Sequence, residues 1–168
     1  MILPSPSSLN DILVVCSGNI CRSPMAAGLL RAGLQKAGVR GKFVHSAGTI
    51  ATAGNPASPE AVEVMEERGL DISYHRSTPL STDLIKRADL IITMEQRHIT
   101  YITTMVPEAT GKTFRLTEWA GEAQRDSDVP DPYGMGVAYY ELICSRMKRM
   151  VDTLIRQFRG RDADQEDD

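Results

Sequence analysis

Residues 14–30, VVCSGNICRSPMAAGLL, decide how this chain is read. An apolar run ends at Cys16. A polar loop follows, with a glycine, an asparagine and a second cysteine; Arg22 stands six residues after Cys16, and Ser23-Pro24 opens an Ala/Leu-rich segment. The run DILVVC (11–16) is continuous and β-branched, which suits a strand buried on both faces. Ser23 is a favourable N-cap and Pro24 suits a first helical position, so the sequence predicts a helix from Pro24 to about Lys36. The free N–H groups and the dipole of a helix start favour an anion. Arg22 adds a planar, permanently charged fork that matches two phosphate oxygens. Gly18 is read as the residue that lets the backbone turn inward, so that successive N–H groups line a concavity. The same field favours the thiolate, the nucleophilic form of a cysteine. Strand-end cysteine, arginine and helix start thus serve one reaction, attack of sulfur on phosphorus.

Outward from this stretch the pattern alternates. KFVHSAG (42–48) reads as a second strand, followed by a loop and a helix near 59–68. A short helix (81–87), a strand ADLIITM (88–94), a helix (95–105) and a strand KTFRL (112–116) come next; a loop rich in Asp and Pro covers 120–136. The last helix is expected to begin near Met135, with Val137, Tyr140, Cys144, Met147, Val151, Leu154 and Phe158 on one apolar stripe facing the sheet. Cys144 on that stripe reads as a buried small hydrophobe. Strands alternating with helices predict an α/β fold, a doubly wound four-stranded parallel sheet with helices on both faces. Ligands in such folds bind outside the carboxyl ends of the strands, where Cys16 sits.

A chain of 168 residues fits one domain, here residues 1–160, followed by an acidic tail, 161–168, expected to be disordered. Removing the five acidic residues of DADQEDD (162–168) from a net charge of −3 leaves +2. Nothing resembles a basic stripe with interleaved aromatics, so no nucleic-acid partner is expected. No apolar run approaches the roughly 20 residues of a membrane span. The first ten residues lack the basic region and apolar core of a signal peptide, and a cytoplasmic location is expected. Three cysteines, an odd number, point to thiol chemistry or burial and not to a disulfide framework.

Other readings of the loop fit less well. A Walker-type loop ends in Gly-Lys-Ser/Thr; this one ends in Cys-Arg-Ser. A redox C-x-x-C has different spacing, and a zinc site would have to recruit two of His45, His75 and His98, none of which forms a short ligand pair. No metal and no cofactor are expected. His45 and His98 read as structural hydrogen-bonding residues, and Trp119 as surface cover in a loop.

The string Cys16-Ser17-Gly18-Asn19-Ile20-Cys21-Arg22-Ser23-Pro24 resembles the signature of the low-molecular-weight protein tyrosine phosphatases, bacterial type. The resemblance extends through HSAGT (45–49), GLDISYHRS (69–77), ADLIITMEQRH (88–98) and VPDPYG (129–134). It implies a flavodoxin-like fold and hydrolysis of phosphotyrosine without a cofactor. It implies Cys16 as nucleophile and phosphocysteine carrier, and Arg22 and the loop from Ser17 through Ser23 as the phosphate site. Asn19 and Ser23 would hold the loop and the thiolate, with Ser46 and His75 as supporting hydrogen-bond partners. Asp131 would be the general acid; chemistry asks for one, because phenolate leaves poorly unless protonated and water must later be activated. Asp126 and Asp128 are rivals for that part, but Asp131 is stiffened between Pro130 and Pro132. Tyr133 would wall the pocket against an aromatic ring. The implied partners are phosphotyrosine proteins, among them a bacterial tyrosine autokinase of exopolysaccharide or capsule assembly, or its substrates.

The sequence departs from family relatives at three places. Residues 49–56 lack an aromatic, Gly134 stands where a second tyrosine is found, and position 20 is Ile where phosphoarginine-specific relatives carry Thr. The alternatives on this fold are a protein arginine phosphatase and an arsenate reductase, the latter needing redox cysteines that residues 22–143 lack. Cys21, five residues from Cys16, suggests a redox partner: peroxide would oxidise Cys16 to the sulfenic acid, and the Cys21 thiol would displace water to form a disulfide. Packing behind the loop is the other reading of Cys21.

Overall fold

The computed structural model describes residues 8–120 and 127–162. Four parallel strands form one sheet in the order β2-β1-β3-β4: β1 (Asp11–Cys16), β2 (Phe43–Gly48), β3 (Leu90–Thr93) and β4 (Thr113–Arg115). The chain leaves β1 for β2 on one side and then crosses to β3 on the other, so the winding reverses at β1. A crevice opens at such a reversal, outside the carboxyl end of the strand. The register pairs Cys16 with Gly48 there.

Strand alternation distributes the core. Ile12, Val14 and Cys16 point to the face covered by α1 (Arg22–Lys36), α2 (Pro59–Glu66) and α5 (Val137–Asp162). Leu13 and Val15 point to the other, packed with Ile85 of α3 (Thr82–Arg87) and Ile102 of α4 (Gln96–Met105). Because β1 is covered on both sides, all but its first residue are buried. Ser58 caps α2 by accepting from the Ala61 N–H, with Pro59 at the first helical position.

Helix α1 starts two residues before the expected point. Cys21 is its N-cap and its carbonyl accepts the first helical bond, from the Met25 N–H at 3.3 Å. Ser23 is therefore inside the first turn and caps nothing; its hydroxyl turns to Cys16 instead. Pro24 is tolerated there because N–H groups of a first turn have no intrahelical acceptor. Helix α5 begins at Val137, and Tyr140, Cys144, Met147, Val151, Leu154 and Phe158 are all buried as the stripe requires, while Val137 is only partly so. It runs to Asp162, two residues into the segment read as tail; residues 163–168 lie outside the described residues, as does Asp126. Trp119 is not surface cover. It is buried at the end of a 3-10 turn (Leu116–Trp119), edge-on to Phe114 with ring centroids 6.1 Å apart.

Candidate active site

The loop between β1 and α1 is organised by Asn19. It is fully buried and left-handed, with φ 56°, the one non-glycine residue at positive φ among those described. The inward turn of the backbone therefore belongs to Asn19, not to Gly18. Asparagine tolerates this region better than most residues, and here every polar group of it is engaged. Its Nδ2 donates to Ser23 Oγ at 2.7 Å and Ser46 Oγ at 2.8 Å. Its Oδ1 accepts from the Thr78 N–H at 2.8 Å, and its carbonyl from His75 Nε2–H at 2.7 Å. Ser46 and His75 thus support the loop through one residue. From β2 the backbone approaches closely: Thr49 and Ile50 donate to the carbonyls of Cys16 and Ser17. A Cβ on Gly48 would lie 2.4 Å from the Ser17 carbonyl oxygen, so only glycine fits.

This framework feeds the sulfur of Cys16. Ser23 Oγ accepts from Asn19 and lies 3.0 Å from Cys16 Sγ, so its hydroxyl proton is placed to be donated to a thiolate there. The Asn19 N–H donates to the same sulfur at 3.3 Å. Two donors aimed at one sulfur suit a thiolate. Cys21 is placed differently. Its thiol meets Tyr140 Oη at 3.1 Å and Ser58 Oγ at 3.6 Å, and burial pushes its pKa up. The packing role of Cys21 is visible in these contacts.

Arg22 is 1% exposed and held from behind. Its Nη1 donates to Glu95 Oε1 at 2.6 Å and to the Val129 carbonyl at 2.9 Å. The other edge of the guanidinium faces the crevice: Nη2 is 3.3 Å from Asp131 Oδ2, and Nε is buried without an acceptor among the described residues. That edge carries two parallel N–H groups, the geometry for bidentate recognition of an oxyanion. Burial alone would raise the Glu95 carboxyl, but hydrogen bonds from Arg97 and Arg22 outweigh it and leave the pKa at about 2. Asp128 is committed elsewhere, accepting from the Gln96 N–H at 2.9 Å and pairing with Arg115 at 3.3 Å. Among the described residues, Asp131 is the carboxylate that lines the crevice.

That crevice is a pocket of about 270 Å³. Cys16, Gly18, Ile20 and Arg22 line its floor side, and Ile50, Asp131 and Tyr133 complete it. Ile50 and Tyr133 are 78% and 70% exposed and give the mouth two apolar walls beside the exposed polar residues Thr52 and Asn55, while Cys16 and Arg22 make the floor polar. The Asp131 carboxylate accepts from the Tyr133 N–H at 3.1 Å, closing a short Asx turn. Gly134 follows at φ 79°, which gives a physical reason for glycine where relatives carry a second tyrosine.

With this geometry in view, comparison with known proteins is decisive. Residues 11–164 match the family described as low molecular weight phosphotyrosine protein phosphatase. The chain belongs to that family. It is 42% identical over 152 residues to the probable low molecular weight protein-tyrosine-phosphatase EpsP of Ralstonia nicotianae, covering 90% of this chain and 98% of that one. Among solved structures, the YwlE arginine phosphatase from Geobacillus stearothermophilus superimposes with a TM-score of 0.83 at 33% identity, covering 93% of this chain and 97% of the other. Vibrio vulnificus Wzb in complex with benzylphosphonate gives 0.80 at 34%, covering 89% and 99%.

Beyond the signature, this phosphatase relies on residues that sequence reasoning did not single out: Glu95, Thr78, Gly48 and the Val129 carbonyl. The segment TMEQRH shows Glu95 and His98 in the sequence, but its local pattern assigns no role to Glu95 and only a structural one to His98. His98 is buried and lies directly behind the loop. Its Nδ1 accepts from the Glu95 N–H at 3.2 Å, so Nε2 carries the proton and donates to Ser17 Oγ at 2.9 Å. His45 is on β2, paired with Asp11 at the far end of the sheet.

Burial lowers the pKa of His98 to about 4 and also lowers that of His75. Both neutral forms are favoured by folding. The stability they contribute is complete above the ordinary histidine value of about 6.5 and is lost as pH falls toward 4. The melting temperature should therefore decline across this window. In His98→Gln, which keeps a side-chain donor but does not titrate, the decline should be shallower. Equal slopes in thermal melts of the two proteins would contradict this account of His98.

Proposed function

We propose that this phosphatase hydrolyses phosphotyrosine in proteins through a phosphocysteine on Cys16. The observation that carries the reading is the gathering of a thiol, the free edge of a buried guanidinium and one carboxylate in a single pocket whose mouth has apolar walls at Ile50 and Tyr133. The phosphate oxygens bind the Nε and Nη2 edge of Arg22 and the amides of the loop from Ser17 to Ser23. The Cys16 thiolate attacks phosphorus, the ester P–O bond breaks, and the Asp131 carboxyl gives its proton to the departing phenolate oxygen. Asp131, now a carboxylate, then takes a proton from water as that water attacks phosphocysteine. Inorganic phosphate leaves and the thiolate is restored. Ile20, Ile50 and Tyr133 receive the aromatic ring.

The proposed substrates are phosphotyrosine proteins in the cytoplasm, among them a bacterial tyrosine autokinase of exopolysaccharide or capsule assembly or its targets. The sequence resemblance at 93–98 and 129–134 supports this choice. Benzylphosphonate, bound by the Vibrio relative, joins an aromatic ring to a phosphonate group, the same pairing that the mouth and floor of this pocket suit. A Cys16–Cys21 disulfide formed when peroxide oxidises Cys16 belongs to the same proposal, since both residues line one pocket.

The arginine-phosphatase reading has a specific basis in the likeness to YwlE. Ile20 speaks against it, offering an apolar contact and no hydroxyl. Arsenate reduction would need additional redox cysteines in the middle of the chain, which residues 22–143 lack, and Cys144 is fully buried with its sulfur against Met65. On matched peptides we expect kcat/KM for phosphotyrosine to exceed that for phosphoarginine and phosphoserine by roughly 10–100-fold, the range an apolar pocket supplies. Comparable values on phosphoarginine would overturn the tyrosine assignment.

A further inference from the structure

A second cleft, of about 420 Å³, lies on the α1–β2 side of the molecule and has no part in the chemistry above. It is lined by Arg31, Arg40 and Lys42 together with the turn at Gly38 and Val39, and none of the described lining residues is acidic. Arg31 is fixed by donating to the Val44 carbonyl at 3.0 Å and to Tyr74 Oη at 3.2 Å. Arg40 is exposed and pairs with no carboxylate among the described residues. Three cations around one concavity make a site for a polyanion.

The end of α5 lies beside this cleft. Lys42 Nζ is 5.7 Å from the centroid of the Phe158 ring, and a Cβ on Gly33 would collide with Ile155. Helix α5 ends at Asp162, four residues and about 6 Å beyond Phe158. From Asp162 onward the sequence is DADQEDD, with five acidic groups. Six residues after Asp162 can reach about 20 Å when extended.

We propose that the basic cleft of Arg31, Arg40 and Lys42 is an acidic-peptide site occupied by the chain's own segment Asp162–Asp168. Exposed ion pairs are individually weak and screened by salt. Tethering beside the site raises the segment's local concentration to the millimolar range, where weak pairs suffice. The segment consequently shields a cationic surface that would otherwise take acidic peptides from outside.

The test uses the full chain and a variant in which Asp162, Asp164, Glu166, Asp167 and Asp168 are replaced by Asn or Gln. At low salt, neutralisation should shift the amide resonances of residues 38–42 and the side-chain resonance of Arg31, and 0.5 M salt should erase the difference. A zero-length carbodiimide should join Lys42 to a carboxylate of the acidic segment. Hexaglutamate should bind the neutralised variant about tenfold tighter than the wild type, because its competitor is gone. Adding Arg40→Gln and Lys42→Gln to that variant should remove the binding, with activity on p-nitrophenyl phosphate unchanged as the check of folding. Equal hexaglutamate binding to wild type and neutralised variant would assign the cleft to an external anion and overturn the proposal. So would resonance shifts confined to the last turn of α5.

Discussion

Cys16→Ser is expected to abolish turnover, leaving less than about 1% of wild-type kcat, while the fold survives. The hydroxyl of serine stays protonated at neutral pH and is a far weaker nucleophile than a thiolate. The two donors that converge on position 16, the Ser23 hydroxyl and the Asn19 N–H, would still find an acceptor. The loop itself is held by Asn19, Ser46, Thr78 and His75, none of which touches the sulfur through its side chain. Thermal melting should therefore move little, and phosphotyrosine peptide should still bind. Residual activity above a few per cent, with the melting temperature unchanged, would remove Cys16 from the role of nucleophile.

The second large effect is expected at Asp131. Asp131→Asn should lower kcat on phosphotyrosine by about 10²–10⁴, the usual contribution of a general acid–base. Asparagine keeps the size and can still accept from the Tyr133 N–H, so the turn before Gly134 should persist. The loss should shrink on aryl esters whose leaving group departs without a proton. Plotting kcat against leaving-group pKa should give a steeper dependence in the variant than in the wild type. Parallel lines would show that Asp131 only positions Arg22, which it meets at 3.3 Å.

Much of the fold was legible because its signals are local. The run DILVVC became a buried central strand, and the stripe on α5 became its buried face, since periodicity reports which side of an element meets the core. Ser23 shows where local signals fail. Its type and position favour an N-cap, yet its hydroxyl is drawn to Cys16 and Asn19, partners four and seven residues away that only the closed loop brings near. Trp119 failed for a related reason: a tryptophan among turn residues has no periodicity to reveal that Phe114 packs against it.

The sequence by itself determined the alternation of strands and helices, the position of a cysteine at a strand end, and the arginine and helix start behind it. These depend on residues within about ten positions of one another. The tertiary structure alone decided which edge of Arg22 faces the crevice. Glu95 and the Val129 carbonyl hold its Nη1 from segments 73 and 107 residues away. It also set Asp128 and Asp131 apart, committing Asp128 to α4 and leaving Asp131 in the pocket. It placed Gly48 against the loop, where a Cβ would clash. Contacts of this kind carry no spacing in the chain, because they exist only once β1, β2 and β3 lie side by side.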